Sequence, residues 1–170
     1  EDVRLVTGQG RYASDACDGA NLKAAFLRSP YGHARFSIGD LADALAMPGV
    51  RAIYTAKDFE GLGGLPCLAP MPNSDGSQTP LKPYPVLAEG EAHHVGDIVA
   101  MVVAESAADA RDAVEAIAVD WQALPALVDM QEAISPGAPL MFDGAPGNVA
   151  YDAGIGDKAK TDAVFAAAPR

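Results

Sequence analysis

The stretch Ile98-Val99-Ala100-Met101-Val102-Val103-Ala104, followed by Glu105 and then Ser106-Ala107-Ala108-Asp109-Ala110-Arg111-Asp112-Ala113-Val114-Glu115-Ala116-Ile117, decides the fold class. The first seven residues are apolar, uncharged and rich in β-branched side chains. Such a run has the length of a buried central strand and falls far short of the roughly 20 residues a membrane helix needs. Ser106 then opens a helix, with Asp109 where a capping box usually carries Glu. Ala107, Ala110, Val114 and Ile117 recur at helical spacing, while Asp109, Asp112 and Glu115 fall on the other side. A buried strand followed by a two-faced helix requires a sheet and a layer packed on it.

Working outward, Leu22 to Leu27 reads as a strand and Arg28-Ser29-Pro30-Tyr31-Gly32 as a turn. His33 to Ile38 alternates like a half-exposed strand. Asp40 caps a helix over Leu41 to Met47, which Pro48-Gly49 ends. Val50 to Thr55 is a strand with Val50, Ala52 and Tyr54 on one face and Arg51 and Ile53 on the other. Thr55 to Asp58 starts a short helical turn. Residues 60–85 hold too many Gly and Pro for regular structure and form one long loop. Ala88 to Val95 is a strand, and Gly96-Asp97 makes a tight turn into Ile98 to Ala104. Ala118 to Trp121 is another strand, extended by Leu124 to Val128. Val149 to Tyr151 adds a short strand, and Asp157 caps a helix from Lys158 to Ala167. The order predicts an α+β fold: a mixed, mainly antiparallel sheet with two or three helices packed on it. Residues 1–147 form the domain, and residues 148–170 begin the connection to a further domain.

The chain has 170 residues, 49% apolar and 21% charged, which excludes a disordered tail or a fibrous repeat. Its formal net charge is −11, a poor surface for nucleic acid or anionic lipid. Cys17 and Cys67 permit at most one internal disulfide, and neither is flanked by a base that would activate it. No secretory pattern opens the sequence, so a cytoplasmic location is expected. The opening at Glu1-Asp2 and the close soon after an amphipathic stretch read as a fragment of a longer protein.

Four patterns invite chemistry. Gly8-Gln9-Gly10-Arg11-Tyr12-Ala13 matches the dinucleotide fingerprint, with Arg4 to Thr7 as its preceding strand. No convincing helix follows, however, and no ribose-binding acid appears about 20 residues on. Gly154-Ile155-Gly156-Asp157-Lys158-Ala159 does precede a helix, yet Asp157 places a carboxylate where phosphate would sit. His93-His94 suggests a metal, but neighbours on a strand point to opposite faces, which leaves only His33 as a further histidine. Glu89, Glu91, Asp97 and Glu105 bracket two strands and offer a carboxylate pair for acid–base work, although Asp97 is explained as a turn residue. Tyr12 and Trp121 are expected as core anchors. The residues alone give an α+β domain with no self-contained active site: no catalytic, cofactor-binding or metal-binding residue is assigned.

Several strings, taken in order, carry a resemblance. They are Glu1 to Tyr12 (EDVRLVTGQGRY), Phe26-Leu27-Arg28-Ser29-Pro30 with His33-Ala34-Arg35, Pro48-Gly49-Val50, Val95-Gly96-Asp97, Val99 to Glu105, Val119 to Ala126, and Asn148-Val149 with Gly156-Asp157. Together they resemble the start of a molybdenum-hydroxylase large subunit, the family of xanthine dehydrogenase, aldehyde oxidase and aerobic carbon monoxide dehydrogenase. The chain departs from that pattern at His94, where an aromatic is usual, and at Ile98, where Pro is frequent. The resemblance implies an N-terminal α/β-hammerhead domain. It also implies a parent enzyme that uses a molybdopterin cofactor, with iron–sulfur clusters and usually FAD on partner subunits or domains. The cofactor and the catalytic glutamate belong to later domains of that family, so none is carried onto these residues. The implied role is packing on the molybdopterin-binding domains and docking of the iron–sulfur subunit or domain. The rival reading is a free-standing protein-interaction module working through loop 60–85.

Overall fold

The computed structural model describes residues 2–12, 21–79, 81–142 and 144–168. Its strands are β1 (Lys23–Arg28), β2 (Ala34–Ile38), β3 (Val50–Thr55), β4 (Glu91–Ala92), β5 (Ile98–Ala104) and β6 (Val119–Ala123). They alternate along the chain between two three-stranded antiparallel sheets, ordered β1-β5-β3 and β4-β2-β6. The helices are α1 (Asp2–Val6), α2 (Ala42–Leu45), α3 (Ala107–Ala116), α4 (Met130–Ala133) and α5 (Lys158–Ala167). This is the expected α+β class, with the single sheet replaced by two.

The predicted central strand β5 does lie between two partners, and α3 covers one of its faces. Ala100, Val102, Ala113 and Ile117 form the buried core with Ala44, and Leu27, Val50 and Ile53 pack around them. Ile38 of β2 and Val119 of β6 join the same cluster, so the second sheet shares the core. Ser106 caps α3 as expected: its Oγ accepts from the Asp109 N–H at 3.1 Å and donates to Oδ2 of Asp109 at 2.6 Å. The buried side of α3 is set by Ala110, Ala113 and Ile117, whereas Ala107 is exposed. Small residues there let the helix approach the sheet closely. Gly49 has φ +76 and faces the Asp109 carboxylate, so only glycine closes the turn between α2 and β3 without strain or clash.

The other face of the β1-β5-β3 sheet is only partly covered among the described residues: Val99 is buried there, while Met101 and Val103 are half-buried. The register places Phe26, Met101 and Tyr54 side by side across it. Phe26 is 41% and Tyr54 37% exposed. The sequence expected Val50 to share a face with Ala52 and Tyr54. Instead the register shifts between Val50 and Ala52. One extra residue in β3 reverses the alternation, which sends Val50 to the core beside Ile53 and leaves Arg51 outside with Glu105.

The structure corrects other expectations. Arg4 to Thr7 is not a strand, because residues 2–6 form α1. Ala88 to Val95 contributes only Glu91–Ala92 as strand. Gly96 (φ +90) does turn the chain, but no hairpin results, since β4 and β5 belong to different sheets. Residues 29–33 and 93–97 both cross between the sheets and bond to each other: Ser29 N–H donates to Asp97 O, and Gly96 N–H donates to Ser29 O, each at 2.8 Å. Val149 to Tyr151 is irregular and follows a 3₁₀ turn at Pro146–Asn148. Tyr12 is 64% exposed and anchors no core, whereas Trp121 packs on Phe36 and Tyr31 with ring centroids 5.3 and 5.7 Å away. Loop 60–85 is pinched at its neck by an isolated bridge between Leu65 and Tyr84. No helix among the described residues is long and apolar enough to cross a membrane.

Candidate functional site

Strand pairing assembles what the sequence left scattered. The β2–β4 register pairs Ala34 with Ala92 and Arg35 with Glu91. Continued by one residue, it sets His33 opposite His93. Glu91 and His93 are two residues apart and therefore share a face. The outcome is a cluster of His33, Glu91 and His93 whose ligand-type atoms all lie within 4.8 Å of one another.

His33 is buried and fully engaged. Its Nδ1 lies 3.0 Å from the Pro125 carbonyl and its Nε2 lies 2.6 Å from Glu91 Oε1. A carbonyl only accepts, so Nδ1 carries a proton and Nε2 faces the Glu91 carboxylate. The hydrogen bond from His33 holds the Glu91 carboxyl below its usual range. Arg35 Nε stands 3.6 Å from the other carboxylate oxygen, Oε2. The His93 ring stacks on His33 (centroids 5.6 Å, interplanar 26°) and packs on Phe142 at 4.6 Å. Its Nδ1 is buried without a hydrogen-bond partner among the described residues, and burial depresses its pKa.

Beside the cluster, Asp97 is only 4% exposed. It accepts from Tyr84 Oη at 2.8 Å and from the His93 N–H at 3.0 Å. It is therefore a buried tie between loop 60–85 and the cluster as well as a turn residue. Burial of the Tyr84 hydroxyl, then its bond to Asp97, pushes that phenol up to about 12.

The proposed carboxylate pair does not form. Glu89 is exposed, Glu105 pairs with Arg51, and Glu91 and Asp97 serve different partners. His94 lies 3.6 Å from Asp97 and does not join the His33–Glu91–His93 cluster. In the second glycine motif Asp157 caps α5 by accepting from the Lys160 N–H, which holds its carboxyl low. In the first, Gly8 to Tyr12 trail α1, and Ala13 lies outside the described residues, as does Cys17. Cys67 is an exposed free thiol.

A cleft of about 380 Å³ is lined by Asn73, Ser74, Asp75, Thr79, Pro146, Val149 and Asp152. It presents two carboxylates and no cationic side chain. That lining does not fit the phosphate of a molybdopterin, which would meet like charge.

In sequence, His93 stands beside His94, and neighbours on a strand cannot converge on one ion. The one usable signal was the i, i+2 spacing of Glu91 and His93, but His33 joins them only through the β2–β4 pairing.

The family described as "Aldehyde oxidase and xanthine dehydrogenase, a/b hammerhead domain" matches residues 7–125. The carbon monoxide dehydrogenase large chain of Hydrogenophaga pseudoflava is 37% identical over 99% of this chain and 21% of its own length. The crystal structure of Cu,Mo-CO dehydrogenase superposes with a TM-score of 0.67 at 37% identity, covering 97% of this chain and 21% of that one. Quinoline 2-oxidoreductase from Pseudomonas putida 86 gives a TM-score of 0.68 at 39% identity, covering 81% of this chain and 17% of that one. The chain thus spans about a fifth of the length of the carbon monoxide dehydrogenase large chains it is similar to. With the family's match over most of the sequence and the two-sheet fold in agreement, the chain belongs to the aldehyde oxidase and xanthine dehydrogenase a/b hammerhead family.

Proposed function

We propose that this chain is the structural and docking domain of a larger, cytoplasmic molybdenum-dependent oxidoreductase, and is itself catalytically silent. The parent reaction is hydroxylation of aldehydes or N-heterocycles, or oxidation of carbon monoxide. Molybdopterin is held by later domains of the same subunit, with iron–sulfur clusters and usually FAD on partner subunits or domains. Residues 148–170 begin the connection to those later domains.

The observation that carries this reading is the partly exposed row Phe26–Met101–Tyr54 on the β1-β5-β3 sheet, as seen among the described residues. A sheet needs cover on its apolar face, and α3 supplies it on one side only. The occupant we assign is the remaining four-fifths of the large subunit, in keeping with the share of its relatives' length that this chain spans. Helix α5 buries none of its own residues, and Val164 and Phe165 are 71% and 77% exposed, which suits a segment that also lies against neighbouring domains.

The test is Phe26→Asp and Tyr54→Asp in the intact protein. Each is expected to loosen the domain from the rest, seen as faster limited proteolysis between the two, while far-UV circular dichroism stays unchanged. Wild-type protease resistance in both variants refutes the docking role. Turnover of carbon monoxide, an aldehyde or an N-heterocycle by residues 1–170 alone refutes the silent role.

A further inference from the structure

We propose that His33, Glu91 and His93 form a site for a divalent late transition-metal ion, with zinc the best match. Three features of the cluster point the same way. Its donors are two imidazoles and a carboxylate, a set that suits zinc with a fourth position left to water. His33 already donates from Nδ1 to a backbone carbonyl, the outer-shell bond that orients a ligating histidine, and this leaves Nε2 facing the cluster, where it now meets Glu91 Oε1. Finally, His93 keeps Nδ1 buried with no hydrogen-bond partner among the described residues, an atom that a metal would satisfy.

The geometry requires modest adjustment. Tetrahedral zinc with bonds of roughly 2.0–2.1 Å separates its ligand atoms by about 3.3 Å. His33 Nε2 and Glu91 Oε1 now stand 2.6 Å apart and share a proton, so the ion would replace that proton and open the pair by about 0.7 Å. Within a cluster whose atoms span at most 4.8 Å, His93 would close by about 1.5 Å or less. Glu91 binds through Oε1, since Oε2 faces Arg35. Its side chain is 33% exposed, which leaves a path for the ion and room for the water. The ion would tie β2 to β4, the shortest strand of the second sheet.

The experiment uses the intact protein, stripped with a chelator and then dialysed against micromolar zinc. Wild type is compared with Glu91→Gln, which keeps an acceptor for His33, and His93→Phe, which keeps the ring stack. The expected result is one zinc per chain in wild type by elemental analysis, lost by at least tenfold in affinity in both variants. The zinc K-edge absorption should show only nitrogen and oxygen neighbours at about 2.0–2.1 Å. No zinc in wild type, equal zinc in the variants, or a sulfur shell overturns the assignment and leaves a proton-linked His33–Glu91 pair.

Discussion

Replacing Asp97 by alanine removes a carboxylate that holds two partners, the His93 N–H at 3.0 Å and the Tyr84 hydroxyl at 2.8 Å. Bonds to a charged acceptor are worth about 1.5–3 kcal/mol each, but the two losses differ. Tyr84 is 49% exposed, so its hydroxyl can turn to water and its share falls to about 0.5–1 kcal/mol. The His93 amide belongs to a half-buried residue, and leaving it unpaired carries a penalty of about 1–3 kcal/mol. Deleting a carboxylate that is 4% exposed also relieves its burial, which offsets part of the loss. The net expectation is about 1.5–3 kcal/mol of local stability. Native-state hydrogen exchange in the intact protein reads this directly. The His93 amide should exchange about tenfold to a hundredfold faster, and the Leu65 amide, which donates to the Tyr84 carbonyl, about twofold to fivefold faster. The Tyr84 phenol should titrate lower than in wild type yet stay raised, since burial, the larger cause, remains. Asp97→Asn should lie between wild type and alanine, as its amide oxygen can still serve Tyr84 while its amino group meets the His93 N–H donor to donor. Wild-type exchange at both amides in Asp97→Ala would show that Asp97 is only a turn residue.

Ser106→Ala should cost about 1 kcal/mol by removing the oxygen that caps α3, measured as a lower Tm; an unchanged Tm removes the capping argument. Gly64→Ala places a Cβ against the Tyr84 carbonyl and should open the neck of loop 60–85, seen as accelerated proteolysis within that loop; wild-type cleavage rates count against the bridge. Acid should destabilise the domain in two windows. His93 has a depressed folded pKa, so between that value and the unfolded value of about 6.5 the unfolded chain binds more protons, and stability is lost as pH falls. Glu91 acts with the same sign below its unfolded value of about 4.3. His93→Phe should flatten the upper window of a Tm-against-pH curve and Glu91→Gln the lower. An identical curve in both variants contradicts the assignment.

How much of this was legible beforehand differs from element to element. The strand Ile98–Ala104 and the helix after it declared themselves because an uncharged β-branched run and a Ser cap are local signals, settled within a dozen residues. The cap at Asp157, the turn at Gly96 and the irregular loop from Glu60 were readable on the same grounds. The ordered strings that resemble molybdenum hydroxylases identified the family without any structural knowledge, since they depend only on residue identity and order. What no local signal encoded was which strands pair. Two turns that look like hairpins instead carry the chain between sheets, because the crossings at Ser29 and at Gly96–Asp97 satisfy each other's backbone groups. One extra residue in β3 moved Val50 into the core, a choice made by the register against β5. The His33–Glu91–His93 cluster exists only because β2 lies beside β4, bringing together residues 58 apart in sequence. Residue chemistry fixed the pieces, and long-range pairing, which trades chain entropy for shared burial and backbone bonds, decided their neighbours.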